Sequence, residues 1–273
     1  MNLATVYAIN TSLASRELRR YSGVMVSVDL SVIAAHLEGL EETIIHRLID
    51  RAQFRENSAA YSPGGSGFND TADRSLFDLR LRHQEEMDAA FGRFEVPEEC
   101  PFHADLPTPR RNVALPESPL DPAAAAAVNC TPGIVESYLK FVSVLCESGD
   151  DGQYGSAVEH DVLAIQAIGR RIHYGALYVA ESKYRSNPAR CAAAAKAATA
   201  GDQSALMSLI TRAEVENQIL RRVSEKVDYV QASLNPVARR RVDPQIVLRL
   251  YRDTIIPMTK KGEIAYLLAR ANW

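Results

Sequence analysis

The sequence predicts an all-α fold, a single domain of long helices packed side by side. No segment shows the sustained two-residue alternation of a half-buried strand. Hydrophobic residues make up 47% of the 273 residues, enough for a substantial core. Apolar residues recur at spacings of three and four along one predicted helix face, which consists of Ile33, Leu37, Leu40, Ile44, Leu48 and Ala52.

The N-terminal residues 1–28 are interpreted as an extension, and residues 29–273 as the helical domain. The segment from Met1 to Tyr21 lacks the apolar block of a secretory signal. Its arginines, Arg16, Arg19 and Arg20, are weakly typical of an organelle transit peptide. We therefore expect a cytoplasmic protein, with a plastid location as the alternative.

Several turn signals separate the predicted helices. Residues 62–67 are rich in Gly and Ser but lack the Gly-Lys-Ser/Thr ending of a phosphate loop, so we interpret them as a flexible loop. Prolines interrupt residues 97–122, which predicts a long connection. Helices are predicted at about 75–93, 131–148, 156–184, 211–233 and from 243 to Pro257, with a last segment ending at Trp273. Short Ala-rich helices are predicted to fill residues 188–210.

Charge and cysteine content narrow the function. A net charge of −3 gives no reason to expect nucleic acid or anionic lipid as a partner, and no run of 18 apolar residues predicts a membrane span. The six histidines show no metal-ligand spacing. Four widely separated cysteines predict free thiols in a reducing compartment, namely Cys100, Cys130, Cys146 and Cys191.

Three stretches together resemble the all-helical chorismate mutases of fungi and plants. The first is LEETII at 40–45, continuing to 54; the second runs from GDDGQYGS at 149–156 into GRRIHYG at 169–175 and VAESKY at 179–184; the third is IPMTK at 256–260 with YLL at 266–268. Residues 91–95 and 98–102 also resemble the family. The pieces follow the family's order over about residues 28–271.

The resemblance implies a helical homodimer that converts chorismate to prephenate without a cofactor. This rearrangement is unimolecular: a carbon–oxygen bond breaks while a carbon–carbon bond forms. The site must fold the substrate and stabilise negative charge that builds on its ether oxygen. Two cations are needed for the two carboxylates, donors for the ether oxygen, and an acceptor for the hydroxyl.

Two cations match the family's motifs. Arg171 would hold a carboxylate with its planar guanidinium, and Lys183 would donate to the ether oxygen and a carboxylate. Lys183 follows Arg171 by twelve positions instead of the family's eleven. At about 100° per residue, eleven steps return to nearly the same helix face and twelve do not. Either residues 175–178 absorb the extra residue as a bulge, or Lys183 points elsewhere.

Two glutamates and a threonine also match. Glu263, on the same helix face as Thr259, would donate to the ether oxygen in its protonated form, which burial favours. Glu216 would accept from the substrate hydroxyl. A solvent-exposed Arg212–Glu216 pair is the alternative interpretation of this region.

The resemblance fails at two positions of the expected site. Ala34 stands where the family has an arginine that binds a carboxylate, and Arg212 stands where it usually has asparagine. We expect Arg212 to replace the missing cation. The alternatives are a family member that has lost the chemistry and acts as a binding or regulatory protein, and a pericyclic enzyme for a modified chorismate.

The resemblance also implies an aromatic amino acid effector at the dimer interface. Arg93, Gly152, Gly155 and Ser156 match that element. A helix start at Ser156 would offer free N–H groups to the effector's carboxylate, and Arg93 would add positive charge. The alternative is structural, with both glycines forming the turn and Ser156 capping the helix.

Overall fold

The computed structural model describes residues 28–69, 72–110 and 115–271, and confirms the all-α prediction: these ranges contain helices and no strand. The predicted extension lies outside them except for residue 28. The α-helices are Leu30–Arg51 (α1), Leu76–Ala90 (α2), Pro122–Ala126 (α3), Thr131–Leu145 (α4), Tyr154–Tyr174 (α5), Ala180–Ser186 (α6), Pro188–Thr199 (α7), Ser204–Ile210 (α8), Ala213–Ala232 (α9), Pro244–Leu250 (α10) and Ile256–Ala271 (α11).

Helix α1 forms where a cap and an apolar stripe coincide. The Asp29 side chain accepts hydrogen bonds from the backbone N–H groups of Ser31 and Val32, which satisfies two free donors of the first turn. The stripe predicted from the sequence faces inward, chiefly against α5. Leu37 and Leu40 are only partly buried, so this part of α1 lies at the edge of the core.

Two long helices each contain one widened turn. Helices α5 and α6 are continuous through a π-helical turn at Gly175–Val179, and α10 and α11 are continuous through a second at Tyr251–Ile255. The predicted break at Pro257 is therefore wrong. A proline has no N–H and clashes with the carbonyl four residues earlier in a regular helix, so the wider turn lies where it can relieve this clash.

Other boundaries differ by a few residues from the predictions. The helix predicted to end at 93 ends at Ala90, and the one predicted to end at 148 ends at Leu145. The short helices predicted for 188–210 are confirmed: there are two, separated by a turn at Gly201, whose φ of +101° favours glycine. Helix ends depend on local capping, which spacing patterns locate poorly.

A buried ion pair joins α1 to α5. The Arg51 Nε atom lies 2.6 Å from Asp161 Oδ1, and both side chains are fully buried. The hydroxyls of Tyr61 and Tyr138 donate to the same carboxylate at 2.7 and 2.8 Å. Arg51 also donates to the carbonyls of residues 54–56. These bonds compensate the cost of burying both charges.

Replacing Asp161 with Ala is expected to lower the free energy of unfolding by about 3–5 kcal/mol, because Arg51 would remain buried without a counter-charge. Urea denaturation followed by circular dichroism measures this loss. The control is Glu136→Ala, which breaks the exposed pair with Lys140 and should leave the unfolding midpoint unchanged. Equal midpoints for the two variants would contradict the assigned role of the buried pair.

Candidate active site

One cavity of about 200 Å³ lies between α1, the α5–α6 helix, the start of α9 and α11. Its wall on the α1 side is apolar, formed by Leu30, Ile33, Ala34 and Leu37. The structure places all six predicted catalytic residues in its lining, namely Arg171, Lys183, Arg212, Glu216, Thr259 and Glu263. Lys260, which the sequence analysis did not single out, lines it as well.

The π-helical turn explains how Arg171 and Lys183 reach the same cavity. In a regular helix, twelve residues would rotate Lys183 by about 120° relative to Arg171. The wider turn at Gly175–Val179 absorbs one residue, so that both side chains line the cavity. Of the two alternatives raised by the spacing, the structure shows the bulge.

Lys183 and Glu263 form a buried pair. The Lys183 ammonium lies 2.6 Å from Glu263 Oε2 and donates to the Ile210 carbonyl at 3.3 Å. Burial raises the pKa of Glu263, whereas the positive charges of Lys183, Lys260 and Arg171 oppose this shift. The net direction is upward, which favours a carboxyl group that can carry a proton and donate it in a hydrogen bond.

Glu216 is paired with Lys260 and not with Arg212. The Lys260 ammonium lies 2.5 Å from Glu216 Oε1, and both side chains are largely buried. The alternative of an Arg212–Glu216 surface pair is therefore wrong. The sequence held one signal for Lys260: it precedes Glu263 by three positions, which places it near that glutamate on the same helix.

Arg171 is buried without a carboxylate bonded to it among the described residues. Its Nη1 lies 3.4 Å from Thr259 Oγ1, and its Nε has no hydrogen-bond partner there. Thr259 in turn donates to the Ile255 carbonyl at 2.8 Å. Burial lowers the pKa of Arg171, although nearby acidic groups, Glu41 among them, partly oppose this shift. A buried guanidinium of this kind is suited to an anionic ligand.

Arg212 lies just before helix α9, although its spacing of four from Glu216 suggested that both belong to the same helix. It is the N-cap residue of α9, with extended backbone, and precedes the first helical turn that holds Glu216. Its side chain is exposed, and it makes no ion pair with any other part of the described chain. Arg212 therefore lies at the mouth of the cavity, whereas Arg171 lies deep within it.

The four residues matched to an effector site do not come together within one chain. Arg93 bonds to Asp88 at 2.7 Å, to Glu99, and to Gln166 at 2.8 Å. Gln166 lies ten residues after Ser156 on α5, which corresponds to about 15 Å.

Ser156 is not the cap of α5, which begins at Tyr154, so that Gly155 and Ser156 belong to its first turn. Gly152, with a φ of +71°, forms the turn before it.

In the described parts of the chain, no three His, Cys, Asp or Glu side chains converge on a potential metal site. None of the described helices is sufficiently long and apolar to cross a bilayer.

Comparison with known proteins finds relatives that are named chorismate mutase. The chain is 33% identical to chorismate mutase 2 of Arabidopsis thaliana, over 92% of this chain and 96% of that protein. It is 36% identical to the chorismate mutase of Schizosaccharomyces pombe, over 84% and 91% of the two chains. The structure matches a Candida albicans chorismate mutase in complex with L-Trp, with a TM-score of 0.79, 31% identity and coverage of 89% and 92%.

A second solved structure, AtCM1 with phenylalanine bound in its allosteric site, has a TM-score of 0.80 and 34% identity, covering 91% of this chain and 98% of that one. No protein-family model matches the sequence.

The π-helical turn makes a single-residue deletion testable. Deleting Leu177 should convert the turn to regular helix and keep Arg171 and Lys183 on one face, at the cost of one buried side chain. The variant is expected to unfold cooperatively in urea and retain activity within about tenfold.

The matched control deletes Ile168, an equally buried aliphatic residue in the regular part of α5. It shifts the residues between the deletion and the π-helical turn, Arg171 among them, by about 100° and should strongly destabilise the fold. If both deletions behave alike, the π-helical turn does not absorb the extra residue.

Proposed function

This chain belongs to the chorismate mutase family, and from that premise we propose that it is an active chorismate mutase that binds one substrate carboxylate in an altered way. The proposed reaction converts chorismate to prephenate by breaking one carbon–oxygen bond as one carbon–carbon bond forms. No residue acts as a nucleophile. The protein accelerates the reaction by holding the folded substrate and by stabilising charge on the ether oxygen.

The balance of charges in the cavity carries this proposal. Each of its two lysines lies within ion-pair distance of one glutamate, Lys183 of Glu263 and Lys260 of Glu216. Its two arginines, Arg171 and Arg212, have no such partner among the described residues. Two arginines free to bind anions are what a dicarboxylate requires, because each buried carboxylate needs a cation.

We assign the second carboxylate to Arg212 because the α1 wall offers no cation. Ala34 replaces the arginine that the family resemblance leads us to expect, and its neighbours along the cavity are apolar. Arg212, the N-cap residue of α9, lines the same cavity. Arg171 then binds one carboxylate in the interior and Arg212 the other at the mouth.

The remaining polar residues take the roles that their surroundings support. Lys183 and protonated Glu263 donate to the ether oxygen, since they are adjacent and buried. Glu216 accepts from the substrate hydroxyl with the carboxylate that Lys260 pairs. Thr259 orients Arg171 through their 3.4 Å contact.

A homodimer and an aromatic amino acid effector belong to the same proposal. Because Arg93 and Ser156 are far apart in one chain, an effector that contacts both must bind between two chains. The similar structures with Trp, Phe or Tyr bound favour an aromatic amino acid.

The named relatives include cytosolic and chloroplastic proteins. We propose a cytoplasmic location here.

The purified chain should consume chorismate, seen as loss of its ultraviolet absorbance, and mass spectrometry should identify prephenate as the product. A rearranged product obtained only from an amino- or iso-derivative would favour the modified-substrate alternative. Binding of chorismate without turnover would favour the binding-protein alternative. Either result would reject the proposed activity.

Activity is expected to fall as pH rises from about 5 to about 9, because Glu263 donates only when protonated. Burial raises the pKa of Glu263, so the protonated form persists above the usual range of a glutamate and is lost as pH passes the raised value. Glu263→Gln should flatten the profile of kcat/KM, since an amide donates at every pH. A wild-type profile that is flat or rising would contradict this role.

Arg212→Ala should lower kcat/KM by at least about tenfold through loss of a carboxylate contact. Adding Ala34→Arg to that variant should recover part of the loss, whereas Ala34→Arg alone should help little or reduce activity, because two cations would then crowd one carboxylate. Steady-state kinetics of the four proteins measures this coupling. An Arg212→Ala enzyme with wild-type kinetics would disprove the relocation.

A further inference from the structure

We propose that Lys260 is a positioning residue that holds Glu216 in place to accept from the substrate hydroxyl and sets the upper pH limit at which Glu263 can donate. The inference rests on the proposed function and extends it to a residue of the IPMTK stretch to which no role has been assigned above. It assigns to one lysine an influence on both carboxylates of the cavity.

The contact between Lys260 and Glu216 spans the cavity. Glu216 lies in the first turn of α9 and Lys260 in the first turns of α11, so their 2.5 Å contact ties two helices on different sides of the site. The side chains are only 19% and 27% exposed, unlike the exposed pairs elsewhere on the surface. Both line the cavity and do not face outward.

A carboxylate held in this way remains able to bind substrate. Lys260 contacts Oε1 of Glu216, and a carboxylate has a second oxygen with its own acceptor sites. Oε2 can therefore accept from a hydroxyl while Oε1 stays on the ammonium. Without Lys260, the Glu216 side chain would populate several rotamers. The entropy lost on fixing one of them would then oppose substrate binding.

The second effect of Lys260 acts on Glu263, three positions later on α11. The charged groups facing Glu263 are Lys183 from α6, Arg171 from α5 and Lys260 from its own helix, and all three lower the pKa that burial raises. Lys260 is the cation of these three that lies outside the proposed contacts with the substrate carboxylates and ether oxygen. Its removal should therefore raise the pKa of Glu263 further and extend the pH range in which Glu263 is protonated.

The two effects of Lys260 change the pH profile of activity in different ways. This distinguishes them from a purely structural role of Lys260. Loss of the Glu216 contact should weaken catalysis at every pH. Loss of the positive charge should move the descending limb of the pH profile to higher pH. A salt bridge that served only to join α9 and α11 would change stability, not the position of that limb.

The experiment compares Lys260→Met, which keeps the length of the side chain but removes its charge, with Lys260→Arg, which keeps the charge. The matched control is Lys261→Met, because Lys261 is the next residue on α11, is exposed and lies outside the cavity lining. Profiles of kcat/KM against pH are recorded for all four proteins, together with the ultraviolet circular dichroism that verifies their folding.

Lys260→Met is expected to lower kcat/KM by about tenfold at its optimum and to shift the descending limb upward in pH. Lys260→Arg should return the limb close to the wild-type position, and Lys261→Met should match wild type in both respects. A limb that stays in place in a folded Lys260→Met enzyme, or an equal shift in Lys261→Met, would overturn the inference.

If wild type does not turn over chorismate, the proposed function has failed, and carbon-13 nuclear magnetic resonance of Glu263 replaces the kinetic readout. The titration midpoint of Glu263 should then rise in Lys260→Met and not in Lys261→Met. An unchanged midpoint in Lys260→Met would overturn the effect of Lys260 on Glu263 independently of any activity.

Discussion

The continuous helix formed by α5 and α6 is the element on which the site depends. It carries Arg171 and Lys183, and its π-helical turn brings both cations to one cavity despite a spacing that a regular helix would place on different faces. At the start of this turn, Gly175 leaves room for Thr259, because an added Cβ would lie only 2.9 Å from the Thr259 methyl carbon. The positions of these two cations are therefore set by the backbone of one helix.

The positively charged residues of the cavity are of two kinds. Each lysine is paired with a glutamate, and the two members of each pair hold one another in place. The arginines have no such partner in the described chain and can bind anions of a ligand. Ala34 leaves the α1 wall without a cation, and Arg212, the N-cap residue of α9, lines the same cavity. In the proposed function, Arg212 therefore takes the place of a cation on α1.

Periodicity and motif resemblance predicted the helices, the family and the residues that line the cavity. They could not decide between a bulge and a rotated Lys183, because that choice depends on how α11 packs against the turn. The one ion-pair partner they offered for Glu216, as the alternative to a role in the site, was Arg212, which is close in sequence. Its partner is Lys260, 44 positions later. Pairing between distant helices depends on tertiary packing, which local spacing does not predict.

In the proposed function, two arginines bind the two carboxylates of one ligand. A crystal structure of the protein with prephenate bound tests it most directly. We expect one carboxylate within hydrogen-bond distance of Arg171 and the other within hydrogen-bond distance of Arg212, with Ala34 contacting only carbon atoms. A second carboxylate bound by a cation from residues 1–27, or lying away from Arg212 altogether, would contradict it.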